Sequence, residues 1–181
     1  MPPFSITTDE KMTLQYFKQA PEGSSIHLGS GYFNLTDAYM DTLLSDSSAF
    51  IKILSASPQA NGFFNGAGVS GYIPDAYTYI AKQFMARVNQ HQQQDRITLF
   101  EYFREGWTFH GKGLWHYLPG EVTPFVTFIG SSNFGYRSVY RGLEAQLVIA
   151  TENEKLRQSL HLEQSRLFEM SQKVDCDSFN L

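Results

Sequence analysis

His110 and Lys112 stand two residues apart between bare glycines in the stretch FHGKGLWHYLPG. One short apolar run later a second glycine turn, FIGSSNFGYRS, carries Ser131, Asn133 and Arg137. In an extended strand residues two apart share a face, so His110 and Lys112 are expected to point one way and Gly111 and Gly113 the other. The glycines leave the strand thin enough for another element to come close. The same parity puts Ser131 and Asn133 on one face at the end of the next strand. These are groups that hold and attack a phosphate. Imidazole attacks phosphorus or moves a proton, and an ammonium neutralises phosphate oxygens as a point charge. A hydroxyl and an amide hold further oxygens, and Arg137 can add a forked contact. Glu144, read at the start of the strand that follows, can accept a hydrogen bond from the imidazole and fix its tautomer.

Taken singly, each of these residues has a plainer role. A lone histidine is usually structural or on the surface, a lone lysine is a solvated charge, and Ser131 and Asn133 are common turn formers. Glu144 alone can cap or pair locally. The chemical reading rests on the conjunction of His-Gly-Lys with GSSN and a downstream glutamate. His116 and Tyr117 are expected to be structural, and His27 and His91 have no partner that the sequence reveals.

The elements that must position these groups can be read from pattern. TTDEKMTLQYFKQA opens with capping residues and reads as a short helix. SSIHLGSGYF reads as a strand ending in a glycine turn. In NLTDAYMDTLLSD, Thr36 is the expected N-cap, with Ala38, Leu43 and Leu44 as buried candidates. AFIKILSA has strand length. SPQANGFFNGAGVSG is a long Gly/Asn/Ser-rich loop of the kind that often carries function. IPDAYTYIAKQFMARVNQHQQ follows as a helix with Pro74 in its first turn. Its Tyr77, Ile80, Ala81, Phe84 and Val88 lie at core-facing spacing. RITLFEYF, WTFHGKGLWHYL, FVTFIGS and LEAQLVIA read as strands. TENEKLRQSLHLEQSRLFEM reads as a helix with a capping box of Thr151 and Glu154. The domain is expected to end at residue 170, with a frayed tail over 171–181. Alternation of helices and strands gives a mixed α/β sheet flanked by helices.

The 181 residues suit one domain with a sizeable core, and the high aromatic content excludes disorder. The formal net charge of −4 argues against bulk binding to nucleic acid. Cys176 is the single cysteine, so no intrachain disulfide can form. No apolar run is long enough to span a bilayer. The opening MPPFSITTDEKM lacks the features of a secretory signal or a transit peptide, so no targeting signal is expected in the chain. No metal-ligand cluster is visible, and neither metal nor cofactor is expected.

The HGK and GSSN segments resemble the HxKxxxxD and GSxxN signature of the phospholipase D superfamily, with Tyr117 at the place of the signature aspartate. With GWTFHGKGLW, IGSSNFGYRSVYRGLEAQLVIATEN and ASPQANGFFNGAGVSGYIPDAY, the chain resembles the C-terminal half of the eukaryotic CDP-diacylglycerol–glycerol-3-phosphate 3-phosphatidyltransferases. That family is mitochondrial. The resemblance implies one half of a two-half architecture, in which two HxK motifs face one phosphorus. It implies transfer of the phosphatidyl group of CDP-diacylglycerol to glycerol 3-phosphate with release of CMP, giving the precursor of phosphatidylglycerol and cardiolipin. By the same resemblance His110 is general acid/base, Lys112, Ser131 and Asn133 bind the phosphoryl group, and Glu144 orients a histidine. A peripheral membrane surface, the mitochondrial inner membrane, and either an N-terminal half or a homodimer partner are implied too. Two alternatives stand beside this reading: a dimeric single-motif phosphodiesterase or nuclease, and an inactive module that binds anionic lipid or a partner.

Overall fold

The computed structural model describes residues 7–175. The first helix, α1 (Thr8–Lys18), has acidic residues in its first turn and Lys18 in its last, complementing the helix dipole. The strand β1 (Ser25–Ser30) follows, then the short helix α2 (Asp37–Asp41), which runs on as a π-helical turn over Thr42–Asp46. Thr36 caps α2 as expected, its side chain accepting from the Tyr39 backbone N–H. Ala38 is exposed, and Tyr39 takes its place in the core. After β2 (Phe50–Ala56) the Gly-rich loop folds into two 3-10 turns, Pro58–Ala60 and Gly68–Tyr72. The long helix α3 (Ile73–Gln90) leads to β3 (Ile97–Tyr102).

A meander follows: β4 (Lys112–Tyr117), β5 (Val126–Gly130), a short helix α4 (Tyr136–Tyr140) and β6 (Gln146–Ala150). The last helix, α5 (Glu154–Glu169), is capped by Asn153, which accepts from the Leu156 N–H, and not by Thr151. Asn153 sits directly before the first helical residue, and Thr151 instead accepts from the Asn153 N–H. The residues 171–174, expected to begin a tail, form β7 (Ser171–Val174) against β3. An edge strand this short needs little patterning of its own, because β3 supplies the ladder. Cys176 lies outside the described residues.

The seven strands form one sheet in the order β6-β5-β4-β1-β2-β3-β7. β1, β2 and β3 are parallel, while β4, β5 and β6 run antiparallel to their neighbours. Alternate residues separate the two faces. Ile26, Leu28, Ile51, Ile53, Ile97, Leu99, Leu114 and Phe128 pack under α1, α2 and α3 with Phe17, Tyr39, Leu43, Phe84 and Val88. The opposite face carries Leu54, Tyr102, Trp115 and Tyr117, covered by Leu160, Leu167 and Phe168 of α5.

This topology gathers the chemical segments at one end. β1 and β4 are antiparallel with Ser30 opposite Lys112, so the start of β4 lies beside the end of β1. β5 returns antiparallel to β4, which brings Gly130 back to the same end, and Gln146 at the start of β6 pairs with Gly130. The GSGY turn after β1, the HGK segment before β4, the GSSN turn after β5 and the residues before β6 therefore meet at the C-terminal edge of the parallel strands. Open α/β sheets bind their ligands at that edge.

Candidate active site

A cavity of about 910 Å³ opens at this edge, lined by Lys112 and Asn133 together with His110, Ser131, Arg137 and Glu144. All six candidate residues thus reach one space. They do so by a route that differs from strand parity. β4 begins at Lys112, and His110 and Gly111 lie in the irregular segment before it. Gly113 has φ +151°, outside the ordinary strand range, and a Cβ there would lie 3.0 Å from the Phe128 backbone oxygen. The glycine serves close approach of β4 to β5, the role expected of it.

The His110 ring packs beside the ring of Tyr32, centroids 4.9 Å apart. Lys112 Nζ donates to the His110 backbone oxygen at 3.2 Å, which folds the ammonium back over the segment that carries the imidazole. Partial burial, and then the Lys112 charge, lower the His110 pKa from its ordinary value. Burial also lowers the Lys112 pKa, while Glu144 pulls it upward. The lowered His110 pKa favours the uncharged imidazole.

The GSSN turn is held by one hydroxyl of its own and one from α4. Ser132 accepts from the Phe134 N–H at 3.1 Å, and Ser138 accepts from the Asn133 N–H at 3.0 Å. Phe134 is fully buried with φ +57°, a left-handed conformation rare for a large residue and held by packing against Tyr39. Ser131 donates its hydroxyl to Glu144 and accepts from the Ala145 N–H at 3.3 Å. Its proton is thus engaged within the protein. Asn133 accepts from the Tyr32 N–H through Oδ1 at 3.4 Å, which leaves its amide NH₂ as the free donor.

Glu144 lies in the loop before β6 and not in the strand, it is half-buried, and it accepts its hydrogen bond from Ser131, a polar residue of the GSSN turn, and not from an imidazole. The reason is geometric: Gly130 and Gln146 are paired across β5 and β6, so residues 131 and 144 face each other just beyond the ladder. Arg137 sits on α4 at the exposed rim, and its charge reaches Tyr77, whose pKa burial raises.

Tyr117, at the place of the signature aspartate, is buried on the α5 face. Its hydroxyl bonds Gln164 at 3.0 Å and His161 Nδ1 at 3.2 Å. His116 is buried on the other face with Tyr16 OH 2.5 Å from its Nδ1, and burial pushes its pKa down to about 4. Both are structural, as expected. His27 also has a place: it packs between Tyr117 and Phe168.

The aromatic wall of the cavity is what sequence reasoning missed. Tyr32, Phe63 and Tyr77 line it, with Tyr32 and Tyr77 stacked 5.4 Å apart at 11°. Helical spacing assigns Tyr77 to the core, and nothing in the pattern separates a core tyrosine from one lining a cavity. Among the described residues no group of three or more His, Cys, Asp or Glu side chains could hold a metal ion.

No family model matches the chain. It is 51% identical over 179 residues, 99% of its length, to the mitochondrial CDP-diacylglycerol–glycerol-3-phosphate 3-phosphatidyltransferase of Homo sapiens. It spans about a third of that relative, 32% of its length. Among solved structures it superposes on the phosphatidylserine synthase of Haemophilus influenzae with a TM-score of 0.78 at 15% identity, covering 95% of this chain and 38% of that one. It also superposes on Nuc, a phospholipase D family member from Salmonella typhimurium, with a TM-score of 0.57 at 16% identity, covering 96% and 94% of the two chains. The chain thus has the phospholipase D-like fold and is homologous, along nearly all of its length, to about a third of the mitochondrial CDP-diacylglycerol–glycerol-3-phosphate 3-phosphatidyltransferases.

Proposed function

We propose that the cavity is the phosphoryl-transfer site of a CDP-diacylglycerol–glycerol-3-phosphate 3-phosphatidyltransferase. The observation that carries this reading is the meeting of His110, Lys112, Asn133 and Arg137 in one cavity of a chain 51% identical to such enzymes. Lys112 and Arg137 supply positive charge and the Asn133 NH₂ supplies a donor, together suited to the oxygens of a phosphodiester. Ser131 contributes by holding Glu144.

The reaction proceeds in two displacements. A histidine from a second HxK motif attacks the phosphorus that bears diacylglycerol, and the bond to CMP breaks. CMP leaves with the bonding electron pair and takes a proton from His110. The 1-hydroxyl of glycerol 3-phosphate then gives its proton to His110 and attacks the phosphatidyl-histidine, which frees the histidine and yields phosphatidylglycerophosphate. The anionic substrate raises the His110 pKa, since an opposite charge favours the imidazolium. Substrate binding thereby loads the proton that the first displacement requires.

This chain carries one HxK motif, so the second comes from another segment of the protein or from a second copy. The outer strand β6 supports a partner there. It has no neighbour on its far side among the described residues, and Leu147 and Val148 are 63% and 52% exposed. Ile129 on β5, paired with Leu147, and Leu143 before β6 are exposed as well. The lipid nature of the proposed substrate supports peripheral work at a membrane surface; among the described residues no helix is long and apolar enough to cross a membrane. The mitochondrial inner membrane is the proposed location.

The test is release of CMP from CDP-diacylglycerol in detergent micelles with glycerol 3-phosphate, at an oligomeric state fixed by light scattering. Turnover is expected only where a second HxK motif is present, and His110→Ala is expected to lower it by at least about 10²-fold. Turnover that ignores His110→Ala would contradict the proposal.

A further inference from the structure

The turn that ends β1, Ser30-Gly31-Tyr32, touches both chemical segments. Gly31 lies against the His110 backbone: a Cβ there would sit 2.9 Å from His110 Cα and 3.3 Å from the ring Cδ2. No larger residue permits this approach without displacing the histidine. The Tyr32 ring follows directly, stacked with Tyr77 and packed against the His110 ring at 52°. Among the described residues no hydrogen bond engages either His110 ring nitrogen; the one bond at this residue goes to its backbone oxygen. The imidazole is therefore oriented by an aromatic neighbour and not by a carboxylate.

The same turn reaches the GSSN segment. The Ser30 hydroxyl has the backbone oxygens of Asn133 and Tyr32 within reach of its one proton, at 3.0 Å and 3.2 Å, and the Tyr32 N–H donates to Asn133 Oδ1. An amide whose oxygen accepts from a backbone N–H has its NH₂ directed elsewhere. Here the remaining direction is the cavity that Asn133 lines.

We propose that Ser30-Gly31-Tyr32 is the positioning element of the site. The Tyr32 ring, backed by Tyr77, sets the plane of the His110 imidazole, and the Tyr32 backbone N–H sets the Asn133 amide so that its NH₂ faces the bound phosphoryl group. Tyr32 is a positioning residue and does not touch the reacting atoms. The inference rests on the reading of the cavity as a phosphoryl site, but not on which ester occupies it.

The ring and the N–H make separable contributions. Tyr32→Phe keeps both, because no hydrogen bond uses the Tyr32 hydroxyl among the described residues. Tyr32→Leu removes the ring and keeps the N–H. The experiment follows His110 ring and Asn133 side-chain amide resonances of the isotopically labelled chain by NMR while inorganic phosphate is added. In the native chain, cross-ring NOEs between Tyr32 and His110 and a shift of the Asn133 NH₂ protons on phosphate addition are expected. In Tyr32→Leu the ring-current shift of His110 is lost and its pKa moves up toward the ordinary histidine value, while phosphate affinity stays within about twofold, or about 0.4 kcal/mol. Tyr32→Phe restores the native spectrum. A folded Tyr32→Leu chain with an unchanged His110 signal and titration would overturn the ring's role, and Asn133 NH₂ protons that ignore bound phosphate would overturn the amide's. If Tyr32→Leu does not fold, absence of the NOEs in the native chain is the overturning result. None of these readouts involves CDP-diacylglycerol, so a chain that meets them and never supports CMP release, even with a second HxK motif supplied, refutes the transferase reading alone.

Discussion

Ser131 gives its hydroxyl hydrogen bond to Glu144, and that carboxylate, half-buried at the rim of the cavity, bears on Lys112 without engaging His110. The pair closes the gap between the ends of β5 and β6. It also places one negative charge beside the cation that is to meet phosphate. An amide at the same position would keep an acceptor for Ser131 and remove the charge. Glu144→Gln is therefore expected to bind inorganic phosphate several-fold more tightly, since a like charge near the anion is gone. Its thermal stability should change by no more than about 0.5 kcal/mol, as at other partly exposed sites. Isothermal titration at low salt checks the affinity. Weaker binding would show that the carboxylate's main task is to hold Ser131 and the turn in place.

The imidazole of His110 is expected to respond to ligand. Burial and Lys112 hold its pKa below the ordinary histidine value. A bound phosphate dianion reverses that balance, so the pKa should rise with phosphate, and by linkage phosphate affinity should increase as pH falls through the same range. An NMR titration of His110 with and without phosphate measures both. A pKa that does not move would place the anion elsewhere.

Gly135 tests the turn itself. A Cβ at this position would collide with the backbone oxygen of Asn34, and backbone cannot yield as a flexible side chain does. Gly135 also forms the bridge to Leu35 that ties the GSSN turn to the segment before α2. Gly135→Ala is expected to cost roughly 1–3 kcal/mol, the usual range for overpacking, and to weaken phosphate binding in the chains that remain folded. Denaturant unfolding followed by circular dichroism supplies the first number.

Much of this was legible beforehand, and the misses have physical causes. β1 to β5 and the long helices follow apolar patterns that tertiary packing satisfies, while β6 keeps Leu147 and Val148 exposed. The HGK and GSSN segments were visible because glycines flank chemically active side chains. His110 lies before β4, and parity could not reveal this, because what packs the His110 backbone is a tertiary contact with Gly31. The five-residue α4 is too short for periodicity to register. Tyr32 and Tyr77 carry no local mark that separates a cavity wall from a core, and only the meeting of β1, α3 and the HGK segment gives them their place. Glu144 went to Ser131 because strand register decides which residues meet beyond a ladder.

A charge outside the cavity lining should govern part of the pH dependence of stability. Burial raises the Glu101 pKa to about 7. A folded-state pKa above the unfolded value means that Glu101 favours folding at low pH, and that this contribution is lost as pH rises from about 4.5 through 7. His27 and His116, pushed down to about 4, act with the opposite sign: their contribution is full above about 6.5 and is lost as pH falls toward 4. Glu101→Gln leaves the histidines untouched, so its effect isolates the carboxylate. It should stabilise the chain at pH 8 and have little effect at pH 4, as read from urea midpoints. Equal effects at both values would contradict the assignment.

The central claim is that this one cavity receives the phosphoryl group of CDP-diacylglycerol. The most direct measurement titrates the labelled chain with CDP-diacylglycerol in detergent micelles, against the same micelles without it, and maps the resonances that move. Saturable shifts are expected at His110, Lys112, Asn133 and Arg137, with Lys112→Ala abolishing them. Shifts that match the empty micelles, or that fall on the α5 face and spare these four residues, would contradict it.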